Sequence, residues 1–90
     1  ILIGLVGSEM CIRDRIVTYD VKQGNDYSAW YDYVEKIGGR KITESTYELN
    51  TSLLQEGFEN RLRSLFNKGD NVDYISVNKD NDLYWKKIII

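Results

Sequence analysis

The sequence has no histidine, no proline and only one cysteine among its 90 residues. The lack of histidine excludes histidine-dependent catalytic triads, haem ligation through imidazole and zinc sites of the Cys/His type. A single cysteine excludes an internal disulfide framework. The 14 acidic and 12 basic residues give a net charge of −2, so no global positive field attracts nucleic acid. The remaining chemistry is that of carboxylates, hydroxyl groups and the backbone.

The composition, 42% apolar and 29% charged, indicates one small globular domain. No repeat, low-complexity stretch or linker divides the chain. The apolar run at its start is far shorter than the roughly 20 residues that a membrane span needs. We therefore expect a cytoplasmic domain with no membrane segment.

The first 15 residues have the pattern of a translated sequencing adapter. Leu5 to Asp14 match the translated end of a transposase-type sequencing-library adapter in ten consecutive codons, and Arg15 fits the junction codon. We therefore interpret residues 1–15 as adapter-derived and outside the fold, and residues 16–90 as the domain. An ordinary N-terminal arm or extra strand is the alternative. Residues 16–90 contain no cysteine, which excludes thiol catalysis.

Hydrophobic periodicity predicts the element order β-α-β-β-α-β with an additional C-terminal strand. Two stretches have apolar residues at the spacing of one helical face, and the others alternate or are rich in β-branched residues. The predicted strands are 16–21, a hairpin over 40–50, 72–77 and 83–90, and the helical faces run over 27–37 and 54–66.

Several residues predict where the helices begin and end. Asn25 or Asp26 is placed to cap the first helix, and Gly38 is placed to end it. Ser52 with Gln55 three residues later has the pattern of a capping box ahead of the second helix.

This order of elements is that of a ferredoxin-like α+β sandwich, with two helices on one face of an antiparallel sheet. The other face needs cover, and the last strand is strongly apolar, with Tyr84, Trp85 and the run Ile88–Ile90. An uncovered edge or face of this composition favours pairing with a second copy, so we expect a homodimer. The alternative is that these residues complete the core of a monomer.

Asp20 is the candidate functional residue, because it is a carboxylate at the end of an apolar strand and just before a glycine-containing loop. On one interpretation it bonds backbone N–H groups of the Lys22–Asn25 turn or of the first helix. On the other it is a metal ligand. One aspartate cannot build a hydrolytic site alone, but two copies could supply two carboxylates to one Mg²⁺.

Basic residues are the candidates for contact with phosphate. They occur in two groups, Arg40 with Lys41 and Arg61 with Arg63. A solvated helix face is the better explanation of the second group, because the same helix also carries acidic residues.

Three stretches carry a resemblance to a known family. They are Val17–Val21, the Gly24–Tyr27 helix start with Trp30 and Tyr31 behind it, and Glu44–Glu48. Together they resemble the small CRISPR-associated adaptation proteins of the type-two Cas kind, and most closely their stand-alone "SinR-family" relatives. The match extends from Ile16 to about Val77, and the superfamily also includes toxin-like endoribonucleases.

The resemblance implies a ferredoxin-like homodimer in which Asp20 approaches its symmetry mate and, in active members, helps to bind Mg²⁺ for phosphodiester hydrolysis. Ser45 is implied as a supporting polar residue. Many members act instead as DNA-binding scaffolds, and the implied partners are nucleic acid and a CRISPR integrase subunit in antiviral defence. Our leading hypothesis is a metal-dependent endonuclease or a nuclease-derived DNA-binding scaffold. The alternative, which the acidic balance favours, is a non-catalytic dimerisation and protein-interaction module.

Overall fold

A computed structural model of the chain describes residues 13–77 and 83–90. These residues form an α+β domain with five strands and two helices. In chain order the elements are β1 (Arg13–Tyr19), α1 (Ser28–Ile37), β2 (Arg40–Thr43), β3 (Thr46–Thr51), α2 (Gln55–Leu65), β4 (Asn71–Val77) and β5 (Leu83–Ile89). The predicted element order, including the additional strand, is confirmed. The predicted turn over 78–82 lies outside the described residues.

The five strands form one antiparallel sheet in the order β2-β3-β1-β4-β5. β1 is central, because it pairs with β3 on one side and with β4 on the other. The arrangement is compatible with a ferredoxin-like fold. It differs from the six-element βαββαβ pattern in that β5 extends the sheet beyond β4.

The two faces of the sheet have different environments, because successive side chains of a strand point to opposite sides. On β1, Val17 and Tyr19 are buried whereas Thr18 between them is exposed. We call the face of Val17 and Tyr19 the inner face and the opposite one the outer face. The core is a single cluster made by the inner face and both helices: Val17, Tyr19, Tyr27, Trp30, Val34, Tyr47, Leu49, Phe58, Leu62, Phe66, Val72, Tyr74 and Ile88.

Helix α1 ends where the sequence predicts. Gly38 adopts a left-handed conformation with φ 75°, which glycine reaches without steric cost, and its N–H donates to the carbonyl of Glu35. At the start of the helix the Asp26 carboxylate accepts the N–H of Ser28 at 2.9 Å. Tyr27 occupies the N-cap position and α1 has no side-chain cap, so the predicted cap by Asn25 or Asp26 is wrong, and the Asp26 bond closes a turn just ahead of the helix. Hydrogen bonds from the Ser28 hydroxyl and N–H hold the pKa of Asp26 below its usual value.

The predicted capping box of the second helix is wrong, although the predicted helical face over 54–66 agrees with the observed start to within one residue. α2 begins at Gln55 with Leu54 at the N-cap position and no side-chain cap, so Ser52 lies ahead of the first turn. The Thr51 hydroxyl instead accepts the N–H of Leu53 at 3.1 Å, which gives these residues a local turn in place of helix. Neither described helix is long and apolar enough to cross a membrane.

Strand β1 begins at Arg13, whereas the sequence analysis began it at Ile16. Pairing with β3 and β4 extends over Asp14 and Arg15, because both neighbouring strands continue alongside them. Arg15 is only 2% exposed. Its guanidinium lies 4.5 Å from the ring centre of Phe58 and donates to a backbone carbonyl at 2.8 Å. The described fold therefore includes residues 13–15, while the adapter origin of 1–15 remains a prediction.

A buried carboxylate joins α2 to the last two strands. Glu59 is 5% exposed and accepts hydrogen bonds from the Tyr74 hydroxyl at 2.6 Å and the Lys86 ammonium at 2.8 Å. Burial by itself raises the pKa of Glu59, but the hydrogen bonds from Lys86 and Tyr74 outweigh it and lower that pKa. Burial raises the pKa of the Tyr74 hydroxyl, which therefore stays protonated as the donor.

Replacement of Glu59 with Gln is expected to lower the free energy of unfolding by about 1–2 kcal/mol near pH 7. The pKa of Glu59 is lowered in the folded state, so its contribution is present above the unfolded-state pKa and is lost as pH falls through the folded-state pKa. Urea unfolding at about pH 7 and about pH 4 should show a smaller loss with acid for Glu59→Gln than for the wild type. The exposed Glu56 on the same helix provides the control, Glu56→Gln. An equal loss with acid in the wild type and Glu59→Gln would contradict this account.

Candidate functional site

The end of β1 is held between two other parts of the sheet. The N–H of Tyr19 donates to the carbonyl of Ser45 at 3.1 Å, and the N–H of Asp20 donates to the carbonyl of Asn71 at 3.4 Å. Asp20 therefore follows the central strand directly, next to the first residue of β4. The predicted placement of Asp20 at the end of the first strand is confirmed to within one residue.

The strand register arranges the outer face in rows that cross β1, β4 and β5. An apolar row consists of Ile16, Ile75 and Trp85, and the next row along the strands consists of Thr18, Asp73 and Lys87. Asp20, Asn71 and Ile89 follow as a third row at the end of the sheet. We call these the apolar row, the polar row and the end row.

A depression open to solvent lies over the polar row and the end row. Its lining residues are Thr18, Tyr19, Asp20, Asn71, Asp73 and Lys87. Both helices pack on the inner face, so the depression is on the side of the sheet that they do not cover.

The two carboxylates of the depression differ in their hydrogen bonds. The Oδ1 atom of Asp73 accepts the Lys87 ammonium at 2.9 Å and its Oδ2 atom accepts the Trp85 indole N–H at 3.0 Å. Asp20 is exposed, and its carboxylate accepts no hydrogen bond from any residue in 13–77 or 83–90. The alternative that Asp20 bonds the Lys22–Asn25 turn is therefore wrong.

A different aspartate holds that turn. Asp70 is fully buried, and its Oδ1 atom accepts the Tyr27 hydroxyl at 3.2 Å and the Asn25 side-chain amide at 3.0 Å. Its Oδ2 atom accepts the N–H of Asn67 at 2.9 Å. The Tyr27 hydroxyl also accepts the N–H of Lys22 at 2.9 Å, so Asp70 fixes the loop after Asp20 through Tyr27.

The sequence analysis missed Asp70 because nothing local marks it. The polar residues around it predict only a turn. Two of its partners, Tyr27 and Asn25, are 43 and 45 residues away in the chain. Placing a buried acid among neutral donors depends on contacts that hydrophobic periodicity does not encode.

Aromatic side chains support the site from the inner face. The ring of Tyr19 lies 5.4 Å from that of Tyr27 and 4.9 Å from that of Phe66, measured between centroids. Burial raises the pKa of the Tyr19 hydroxyl. Trp30 is fully buried in the same cluster, whereas Tyr31 beside it is 45% exposed.

Ser45 and the basic candidates do not join Asp20 in the depression. Ser45 lies in the turn before β3 and contacts β1 only through its carbonyl oxygen. Arg40 forms an ion pair with Glu48 on β3, level with Ile16 rather than with the end of β1.

The other basic candidates also lie outside the depression. Lys41 pairs with Glu44 at 3.2 Å. Arg61 and Arg63 are on α2, in the layer that covers the inner face, and the Arg61 guanidinium lies 5.7 Å from the ring centre of Tyr33. These four basic residues are therefore not brought together into a phosphate-binding group with Asp20.

The depression offers oxygen ligands of the type that Mg²⁺ prefers, in the Asp20 carboxylate and the side-chain amide of Asn71. Within residues 13–77 and 83–90 no three acidic, histidine or cysteine side chains group together as metal ligands. A single subunit thus supplies one uncommitted carboxylate. The donor set fits a divalent cation only when a second subunit adds its own Asp20.

Replacement of Tyr27 with Phe is expected to loosen the loop after Asp20. The change removes the acceptor of the Lys22 N–H and one donor to the buried Asp70, which we expect to cost about 1–2 kcal/mol in the free energy of unfolding. Amide hydrogen exchange at Lys22 should become faster. Tyr33→Phe is the control, because it makes the same change on α1 where the hydroxyl has no hydrogen bond with another described residue. Unchanged exchange at Lys22 would contradict the role of Tyr27.

Three comparisons were made with known proteins, against models of protein families, curated protein sequences and solved structures. None of them finds a match. Any argument about function therefore rests on the residues of the depression and on the sheet that positions them.

Proposed function

We propose that this domain is a ferredoxin-like homodimer acting in the cytoplasm as a metal-dependent endonuclease of the CRISPR-adaptation type, or as a DNA-binding scaffold derived from one. The observation that carries the proposal is the position of Asp20. It is a carboxylate with no hydrogen-bond partner within the described residues, at the rim of an open depression on the uncovered face of the sheet.

The outer face has the features of a contact between two copies. Trp85 is 66% exposed, and its indole is held in place by the hydrogen bond to Asp73. It forms the apolar row with Ile75 and Ile16, and exposed Ile89 lies two residues beyond Lys87 on the same strand. Burial of a fixed aromatic ring together with aliphatic neighbours is a typical centre of a protein interface.

Symmetry connects this face with Asp20. A two-fold axis that runs parallel to the strands, between two stacked outer faces, brings each row opposite its own copy. The apolar rows then cover one another, and the two end rows, each with its Asp20, lie on the same level. This arrangement turns one carboxylate per chain into a pair.

Such a pair suits a magnesium ion, which takes one or two carboxylates together with waters and substrate phosphate. Bound there, the ion would supply an activated water and would balance the charge of the phosphodiester. In this proposal the chain holds the Asp20 carboxylate in place through the backbone bond to Asn71 and through the Tyr27–Asp70 contact. The Asn71 side chain offers a neutral oxygen beside it.

The substrate or ligand in this proposal is nucleic acid, and an integrase subunit of the CRISPR adaptation machinery is the proposed protein partner. Both follow from the resemblance of Val17–Val21 and Glu44–Glu48 to that family. The depression supports the phosphodiester part of the proposal, because it holds an uncommitted carboxylate in the end row, at the end of the sheet.

A second candidate function is a non-catalytic dimerisation and protein-interaction module. The observation in its favour is that Arg40 and Lys41 are paired with Glu48 and Glu44 and do not form a basic stripe. The same apolar row would form the dimer in this case, and Asp20 would have no metal to bind.

Replacement of Asp20 with Ala is expected to reduce Mg²⁺- or Mn²⁺-dependent cleavage of DNA or RNA by about a hundredfold or more, because it removes the proposed metal ligand. Asp32→Ala is the control, since it removes an exposed carboxylate from α1 on the other side of the sheet. Cleavage should be followed on single- and double-stranded substrates. Activity that survives in Asp20→Ala would remove this residue from the mechanism, and absence of cleavage in the wild type would exclude the endonuclease and leave the DNA-binding scaffold or the module.

Replacement of Trp85 with Ser is expected to weaken self-association by about tenfold or more, since an aromatic residue at the centre of an interface contributes about 2 kcal/mol. Leu54→Ser is a matched control, because Leu54 is also 66% exposed but lies at the start of α2. Sedimentation equilibrium measures both dissociation constants. Equal weakening by both substitutions, or by neither, would contradict a dimer through the outer face.

A further inference from the structure

We propose that the free edge of β5 is a second surface of self-association, at which the β5 strands of two copies pair antiparallel and join two sheets into one. β5 is the last strand of the sheet, and within residues 13–77 and 83–90 no strand pairs with it on the side away from β4. The inference goes beyond the proposed function and does not depend on the metal site. It uses the border of the sheet, so the outer face stays available for stacking. A chain that uses both contacts assembles beyond a dimer.

The two edges of the sheet differ in their protection against another strand. β2 has four residues, and its register with β3 shifts between Lys41 and Thr43. A short edge strand with an irregular register is a common means of preventing further pairing. β5 has seven residues, contains neither proline nor glycine and pairs with β4 without a register shift. An edge of this length and regularity is a template for a further strand.

The charges of β5 do not protect its edge. Lysine on an edge strand usually discourages pairing, because its charge would face the charge of a second copy. Both lysines of β5 are bound within their own subunit. The ammonium of Lys86 donates to Glu59 at 2.8 Å, and that of Lys87 donates to Asp73 at 2.9 Å. Each charge is therefore compensated before a second copy arrives.

The backbone of β5 shows which residues offer hydrogen bonds at the edge. Ile90, directly after the strand, donates its N–H to Asp70 and accepts the N–H of Gly69, so its backbone groups face the β4 side. This direction alternates from residue to residue along an antiparallel strand. The residues whose N–H and C=O groups face the free edge are therefore Leu83, Trp85, Lys87 and Ile89.

These residues are arranged symmetrically about Lys86, which favours a second copy of the same strand as the occupant. A two-fold axis perpendicular to the sheet at Lys86 places Leu83 opposite Ile89 of the second copy, and Trp85 opposite Lys87. Each edge-facing residue then exchanges both of its backbone hydrogen bonds. The side-chain pairs are one of two aliphatic residues and one of an aromatic ring with a cation. An axis at any other residue of β5 would leave some of these backbone groups unpaired.

The test is a disulfide between positions 83 and 89 of two copies. Both residues are exposed, and in the proposed register their Cα atoms lie about 5.5 Å apart, within the range of a disulfide. The double variant Leu83→Cys, Ile89→Cys is made in a chain whose single cysteine is removed by Cys11→Ser. Mild oxidation should convert most of it into a covalent dimer on a non-reducing gel. Trypsin cuts between the two positions, so mass spectrometry of the peptides identifies which positions are linked.

The 83–89 link separates edge pairing from stacking of the outer faces. Stacking about an axis parallel to the strands keeps each row level with its own copy, and positions 83 and 89 are then about 20 Å apart along the strand direction. Links of 83 to 83 or 89 to 89 would come from stacked faces. The matched control is Leu54→Cys with Ile89→Cys, since Leu54 is also well exposed but lies at the start of α2, and it should give no 54–89 link above background.

Amide hydrogen exchange tests the same pairing in the unmodified chain. The amides of Trp85 and Lys87 should exchange about tenfold or more slowly at high protein concentration than at low concentration, while that of Lys41 on the other edge should not change. Exchange at Trp85 and Lys87 that is independent of concentration, or a double variant without the 83–89 link, would overturn the inference. Neither result would bear on the outer-face dimer, which Trp85→Ser tests.

Discussion

Both helices pack against the same side of the sheet, and this one-sided cover determines what the rest of the molecule can do. The inward residues of the central strand, Val17 and Tyr19, meet the helices and are removed from water. The outward residues of the same strand, Ile16 and Thr18, are left without a helix over them. Because side chains alternate along a strand, the strand pairing that aligns the core residues also fixes the register of the residues on the opposite face.

The outer face is therefore ordered rather than a random surface. Pairing of β1, β4 and β5 places the apolar row, the polar row and the end row in succession along the strands. The contact of Asp73 with both Trp85 and Lys87 links the apolar row to the polar row. One carboxylate thus orients the aromatic ring that we propose for the interface and also binds the ammonium of Lys87.

Two buried acids stabilise different parts of the domain in different ways. Glu59 is balanced by the ammonium of Lys86, so it is a charged pair whose stability depends on pH. Asp70 accepts only neutral donors, from Tyr27, Asn25 and Asn67. Such a network contributes mainly to loop geometry, since each donor fixes a different segment of chain around one carboxylate.

Most of the fold could be predicted because its signals are local. Alternation over β3, the apolar face of α1 and the glycine at position 38 each act within a few residues, and the structure agrees with all three. The capping box at Ser52 was wrong because the Thr51 turn takes its place and the N-cap position lies two residues later, at Leu54. The pattern identified the right residue types but could not decide between two local hydrogen-bond schemes.

The candidate site was predictable only in part. The position of Asp20 at the end of β1 followed from one strand, but its neighbours Asp73 and Lys87 depend on the pairing of two others. The basic candidates were grouped by closeness in sequence, and the fold separates Arg61 from Asp20 by the whole thickness of the sheet. Asp70 could not be found, since the two partners that join it to the loop after Asp20, Tyr27 and Asn25, come from the other half of the chain.

The described fold begins and finishes at opposite ends of the sheet, and only its last residue lies near the depression. Ile90 donates to the carbonyl of Asp70 and accepts the N–H of Gly69, so the chain leaves β5 beside the first residue of β4 and close to the depression. Arg13 begins β1 at the opposite end of the same sheet, paired with Thr51. A fluorophore, affinity tag or surface tether attached after Ile90 would therefore crowd the mouth of the depression, whereas attachment ahead of Arg13 would leave it facing the solvent.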